Sequence, residues 1–308
     1  MTIIDSIILG IVEGLTEYLP VSSTGHLIIT QYLLGLPETD AMKAFHICIQ
    51  SGAIIAVLGL YFQRVKEMAT GSITCLRNLR NPEATAENRY PTGARMLVNM
   101  IVAFLPAMVF GLLFNDFIKS MLFNAPTVTT TWALGGLVIL LYVRSRQKSG
   151  KGFQGKSLDE LSWKGALKVG LMQCIAMCPG VSRSLMTMMG GLFAGLSVAA
   201  AVEFSFLLGL ITLGAATVHD AMKHGGEMLN QLGWLPLLVG TATAWVSAVI
   251  AVKWMVGYLN RHSLSIFGWY RIGAAIVMLC LIFTGLEFSD DTSTPTAEPA
   301  PLKAESTH

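Results

Sequence analysis

Between Glu13 and His26 the chain reads Glu-Gly-Leu-Thr-Glu-Tyr-Leu-Pro-Val-Ser-Ser-Thr-Gly-His, with apolar sequence on both sides. Glu13 and Glu17 are four residues apart, so on a helix they share one face about one turn apart. Two carboxylates that close in apolar surroundings repel and lose hydration, which calls for a proton on one or a cation between them. A hard divalent cation, Mg²⁺ or Ca²⁺, suits oxygen ligands of this kind. Pro20 ends the helix, and Ser22-Ser23-Thr24 caps the short apolar segment from Leu27 to Leu36. A helix N-terminus bearing hydroxyls and free N–H groups is a seat for phosphate. Carboxylates for a metal beside a phosphate cradle point to phosphate ester or anhydride chemistry. Serines in turns are usually only caps, but Ser23 is the candidate nucleophile or phosphate donor, with His26 as base or acid.

A second constellation, Pro179-Gly-Val-Ser-Arg-Ser-Leu-Met-Thr187, sets an arginine among hydroxyls inside another apolar stretch. An arginine at membrane depth needs a partner or an anion. The guanidinium of Arg183 offers permanent, forked donors suited to phosphate oxygens, and it can equally rest on Glu13 or Glu17. Ser182, Ser184 and Thr187 are further hydroxyl donors for phosphate, with helix packing as their alternative role. Gln173 is the neutral counterpart of Glu13 and is expected behind the site, as are Gln50 and Glu203. His46 and Gln50 share a face of one helix and are candidates to line a cavity. Glu203 and Arg271 both fall within apolar runs and must pair with each other or with backbone groups.

These elements lie in a chain of 308 residues that is 53% hydrophobic and 13% charged, with a mean hydropathy of +0.59. Several runs reach the roughly 20 residues needed to cross a bilayer. The expected class is an all-α polytopic membrane protein. Spans are read at Ala44 to Phe62, Met96 to Phe114, Val128 to Val143, Val198 to Val218, Trp234 to Trp254 and Ile266 to Gly285. The start is no cleavable signal peptide, because Asp5 interrupts it and it runs into the charged motif. A net charge of +2 gives no reason to expect nucleic acid as a partner. The five cysteines are read as packing residues, since no zinc set is completed around Cys174 and Cys178. The tail 289–308, rich in Thr, Pro, Ala and Glu, is expected to be a disordered polar extension to a single membrane domain over 1–288.

The first 36 residues and the stretch Ala166 to Leu196 are apolar but broken by charges, prolines and glycines. Each is expected to be a re-entrant pair of short helices. The stretch 63–95 is polar and basic, as is 144–168, whereas the loops near 115–125 and 220–233 carry one lysine each, Lys119 and Lys223. By the positive-inside rule the two basic stretches are cytoplasmic, which puts both termini outside and brings the re-entrant pairs in from opposite faces. The sequence carries a trace of an inverted repeat, about 1–143 and about 162–286. Gly10-x-x-Glu13 precedes Ser22-Ser23-Thr24 as Gly170-x-x-Gln173 precedes Ser182-Arg183-Ser184, with nine residues from Glu13 to Ser22 and from Gln173 to Ser182. Such duplication brings two broken helices together near the midplane.

The stretches Glu13-Gly-Leu-Thr-Glu17 through Pro20-Val-Ser-Ser-Thr-Gly-His26, and Pro179-Gly-Val-Ser-Arg-Ser-x-x-Thr187, closely resemble the two signatures of the bacterial undecaprenyl-diphosphate phosphatases of the bacitracin-resistance type. The resemblance extends over about residues 1 to 285 and includes Glu203-Phe-Ser-Phe-Leu-Leu. It implies hydrolysis of the C55 isoprenyl diphosphate to the monophosphate, which recycles the carrier lipid for cell-wall synthesis. It also implies divalent-metal dependence, an inverted-repeat fold and a site built from Glu13, Glu17, Ser23, His26 and Arg183. The implied location is the bacterial cytoplasmic (inner) membrane, with the site opening to the outer side. The lipid diphosphate and the bilayer are the implied partners, bacitracin competes for the substrate, and a homodimer is admitted. Whether Ser23 attacks phosphorus or orients water is left open, as is whether His26 serves Ser23 or protonates the leaving lipid phosphate.

Two other classes compete. Broken helices in an inverted repeat are typical of carriers, so a transporter or flippase for an anionic lipid phosphate is the alternative. The second membrane lipid-phosphatase superfamily pairs Pro-Ser-Gly-His with Ser-Arg and a histidine soon after. The next histidine after Arg183 is His219, too distant for that pattern.

Overall fold

The computed structural model describes residues 1–283 apart from 38, 80, 82–83, 86–88, 123–124 and 150–153, with the backbone alone at 40, 115–122, 220 and 223–231. The tail read as disordered, 289–308, lies outside the described residues. The chain is all-helical. In order come α1 (Ile3–Thr16), α2 (Ser23–Leu33), α3 (Asp40–Leu60), α4 (Phe62–Asn78), α5 (Thr92–Leu122) and α6 (Ala125–Lys148). After a 3₁₀ turn at Leu158–Glu160 follow α7 (Trp163–Ile175), α8 (Arg183–Phe193), α9 (Val198–Leu232), α10 (Trp234–Leu259) and α11 (Ser265–Phe283). Among the described residues, six helices (α3, α5, α6, α9, α10 and α11) are long and apolar enough to cross a membrane, at the six places where the apolar runs put them. The basic stretch 63–95, read from the sequence only as polar and cytoplasmic, opens with a helix, α4. Its partly buried face packs on α5 while Phe62, Ile73 and Leu76 stay exposed.

The two interrupted segments become two pairs of short helices. At 1.5 Å per residue, α1 and α7 are each about 20 Å long, short of a hydrocarbon core of about 30 Å. The turns between the short helices are alike. Ser22 (φ 72°) precedes α2 and Ser182 (φ 78°) precedes α8, and these are the only non-glycine residues with positive φ among the described residues. Both short helices end in a left-handed glycine, Gly35 and Gly195. Gly35 N–H donates to Tyr32 O and Leu36 N–H to Gln31 O, as Gly195 N–H donates to Leu192 O and Leu196 N–H to Gly191 O.

Packing crosses between the halves. Helix α1 lies along α10, and α7 lies along α5. Small residues permit the approach, as they must where lipid gives no hydrophobic drive to helix association. A Cβ on Gly10 would run into Thr243 and the Gly240 carbonyl, and one on Gly14 into Ser247 and the Ala244 carbonyl. Gly170 of α7 is pressed in the same way on the backbone of Ala103. Helix α3 packs on both α9 and α10, and α6 pairs with α11. Around the middle of this bundle, Tyr18, Val21, Val181, Leu185 and Phe206 belong to one buried apolar cluster that surrounds both turns.

Candidate active site

The site is assembled where the two turns meet. Glu13 is on the last turn of α1, and Glu17 caps it in helical conformation, its N–H donating to the Glu13 carbonyl at 2.9 Å. The two carboxylates thus keep their shared face although α1 ends four residues before Pro20. Both are buried, at 1% and 7% exposure. From the start of α2, Ser23 Oγ donates to Glu17 Oε2 at 2.6 Å. From the start of α8, Arg183 Nη2 donates to Glu17 Oε1 at 3.3 Å, and its Nη1 donates to the Ser205 carbonyl at 3.1 Å. Glu17 therefore joins a hydroxyl from one broken segment to a guanidinium from the other. The Arg183 guanidinium also lies 5.4 Å above the Tyr18 ring, and only a glycine at 209 leaves it room on α9.

Glu13 Oε1 and Arg183 Nε, with the Tyr18 hydroxyl beside them, are buried polar atoms of this cluster with no hydrogen-bond partner. Unpaired buried groups carry the full cost of desolvation, which makes such atoms indicators of what the site is built to hold. The orphans are complementary. A carboxylate oxygen fits a cation, and a guanidinium N–H fits an anionic oxygen. Among the described residues no group of three or more His, Cys, Asp or Glu side chains forms a metal cage. Glu13 and Glu17 suit a cation that completes its shell with substrate oxygens, the usual arrangement for Mg²⁺.

Hydroxyls line the second turn, held in a network. Ser182 Oγ and Ser184 Oγ are 2.9 Å apart, and Ser184 Oγ also donates to the Leu19 carbonyl at 2.8 Å. Leu185 N–H donates to Ser182 Oγ at 3.3 Å, capping α8. Thr187 Oγ1 is 2.6 Å from Ser205 Oγ and bonds back to the Arg183 carbonyl. Ser184 and Thr187 are wholly buried and tie α8 to its surroundings, which matches their packing alternative. Ser22 caps α2 by position but makes no side-chain cap bond, and Thr24 is half-buried beside it.

His26 is not bonded to Ser23. Its Nδ1 is 2.7 Å from the Ser22 carbonyl, so Nδ1 carries the proton and Nε2 is left to accept from the Tyr270 hydroxyl, also at 2.7 Å. The Tyr270 ring stacks on the imidazole at 5.7 Å and 13°, with Trp132 4.9 Å away on another side. Sequence reasoning missed Tyr270, since nothing local in α11 announces a partner 244 residues upstream. The residues expected behind the site are dispersed. Gln173 is buried on α7 with both side-chain polar atoms unpaired. Gln50 and His46 are half-buried on α3, with no hydrogen bond to the cluster among the described contacts. Glu203 does not pair with Arg271: its Oε1 accepts from Arg64 Nε at 2.7 Å, beside Glu67 and Asp159. Arg271 takes the backbone alternative.

A family described as bacitracin resistance protein BacA matches this chain over residues 6–277, which takes in both turns and every helix that packs on them. The chain belongs to that family. Relatives similar to it over most of their length are the undecaprenyl-diphosphatase of Methylococcus capsulatus, 44% identical over 92% of this chain and 96% of its own. Undecaprenyl-diphosphatase 2 of Rhodospirillum rubrum is 40% identical over 92% and 96%, and the undecaprenyl-diphosphatase of Nitrosomonas europaea is 39% identical over 93% and 97%.

Proposed function

We propose that this chain is an undecaprenyl-diphosphate phosphatase, which hydrolyses the C55 isoprenyl diphosphate to the monophosphate and phosphate and so returns the carrier lipid to cell-wall synthesis. The undecaprenyl-diphosphatase activity for which its relatives are named supports the reading. The observation that carries it is the Ser23–Glu17–Arg183 chain of hydrogen bonds, which sets a hydroxyl, a proton acceptor and a phosphate donor in contact. In the proposed step Ser23 Oγ attacks the terminal phosphorus as its proton passes to Glu17 Oε2. The Oγ–P bond forms, the bond from phosphorus to the bridging oxygen breaks, and the lipid monophosphate leaves. Water then attacks the phosphoserine: the new O–P bond forms as the Oγ–P bond breaks, Ser23 Oγ takes back its proton from Glu17 Oε2, and the proton of the water leaves with the released phosphate. Arg183 binds the transferring phosphoryl group through its unpaired Nε–H. His26, held as the Nδ1–H tautomer, takes up a proton at Nε2 or passes one from Tyr270 toward the leaving side. Ser22, Thr24 and Ser182 sit at the two helix starts and complete the phosphate seat. Glu13 and Glu17 would hold a Mg²⁺ or Ca²⁺ ion, which supplies charge neutralisation for the diphosphate when bound.

For the architecture, we propose two inverted repeats, about 1–143 and 162–286, within one membrane domain over 1–288. The matched turns and the exchanged packing of α1 on α10 and α7 on α5 support this. The basic stretches support a cytoplasmic-membrane orientation with both termini outside and the site opening outward. Bacitracin would then compete for the diphosphate at that outer face. The same exchanged packing favours the second reading, a carrier for anionic lipid phosphate. The deciding experiment is phosphate release from C55 diphosphate by purified protein, with and without EDTA, alongside Glu17→Gln and Arg183→Ala. Metal-dependent release lost in both variants supports the hydrolase. Lipid binding without release by folded wild type moves the assignment to the carrier.

A further inference from the structure

Arg271 is a fully buried arginine on α11 with no carboxylate partner among the described residues. All four of its hydrogen bonds go to main-chain carbonyls. Nη1 donates to Pro20 O at 3.3 Å, and Nη2 donates to Gly180 O at 2.9 Å and to Thr131 O at 3.0 Å. Nε donates to Trp132 O at 3.4 Å. Pro20 and Gly180 occupy the same place in the two turns: each lies two residues before the positive-φ serine, Ser22 or Ser182, and three before Ser23 or Arg183. One guanidinium thus grips both turns at the same register and anchors them on α6. Helix α6 is shaped for it, since a Cβ on Gly135 would collide with the guanidinium. Thr131 Oγ1 adds a bond to the Pro179 carbonyl at 2.8 Å, tying the second turn to the same anchor.

We propose that Arg271 is a positioning residue that sets the distance between the Ser23 turn and the Arg183 turn, aligning the hydroxyl with the guanidinium that binds phosphate. A charge buried without a counter-charge is costly, and carbonyl dipoles compensate it only if they converge on the planar fork. The fork therefore imposes a geometry on the four carbonyls. A lysine keeps the charge but offers a point donor on a flexible stem, unable to span carbonyls from three segments. With no exposed surface, Arg271 does not itself touch substrate.

The kinetic consequence rests on the proposed hydrolysis, while the bridging of the turns does not, so both are measured. In Arg271→Lys, kcat per folded protein is expected to fall about a hundredfold, the scale of a misplacement of about 1 Å. KM should stay within about threefold, since the groups that bind the diphosphate remain. Gly135→Ala, which presses on the guanidinium from α6 and leaves Arg271 in place, should lower kcat in the same sense if the lysine variant does not fold. Amide hydrogen exchange, read without substrate, should show peptides over 17–24 and 178–186 loosening together in either variant. Wild-type kcat in a folded variant, a KM effect without a kcat effect, or loosening of one turn alone would overturn the proposal. Absence of hydrolysis by wild type, with both turns loosened in the variants, would instead sink the reaction and leave the bridge standing.

Discussion

At the scale of single residues, the site brings together groups from the two halves of the chain. Ser23 is engaged by Glu17 and not by His26, so the two candidates for proton transfer are separated in space. Ser23→Ala is expected to lower kcat on the order of 10³-fold with lipid binding retained, checked by turnover and by binding of a non-hydrolysable diphosphate analogue. Tyr270→Phe keeps the ring stack on His26 and removes one hydrogen bond. Its kcat should fall about tenfold, near the 1.4 kcal/mol of a lost hydrogen bond, with little change in KM. Glu13→Gln should leave the fold intact and raise the divalent-cation concentration for half-maximal activity at least about tenfold, read from a metal titration. The motif residues were legible in the sequence because their types and spacing are local. Tyr270 and the contacts of Arg271 were not, because a side chain's partner across the bundle is fixed by helix packing that no short stretch encodes.

At the scale of elements, the chemistry depends on two turns that hold serines in a conformation L residues avoid. Positive φ at such positions costs of order 1–3 kcal/mol, which the surrounding contacts must offset. Ser182→Val adds a β-branched side chain there and removes the cap on Leu185 N–H, so it should lower stability by about 2 kcal/mol or more. Thermal unfolding in detergent would measure it, with Ser182→Gly as the control that relieves the backbone while losing the same cap and the bond to Ser184. Gly14→Val should be more severe, since its side chain would enter Ser247 and the α10 backbone; the expected outcome is loss of monodisperse protein in size-exclusion chromatography. The six apolar spans were read at the right places, with ends up to five residues from those observed, because length and composition locate a span better than they bound it. Helix α4 was not read, because its mean character is polar. Its exposed apolar residues make sense only once the neighbouring helices define which side is left over.

At the scale of the whole molecule, the proposed orientation makes a labelling prediction. In a background without the five native cysteines, Thr70→Cys on α4 should react with an impermeant reagent only from the cytoplasmic side, and Trp234→Cys only from the outside. Reaction of both from one side would remove the outward-opening site. The exchanged packing of the halves also sets a timetable for biosynthesis. The face that Gly14 needs, around Ala244 and Ser247, is encoded about 230 residues after it. A ribosome at about 5–20 residues per second takes about 10–50 s to reach it. Through that interval α1 has only α2 and α3 of the chain already made to rest on, and truncations ending before α10 should leave Glu13 and Glu17 open to carboxyl-modifying reagents. Helix α1 is made long before the face on which most of it is finally seated.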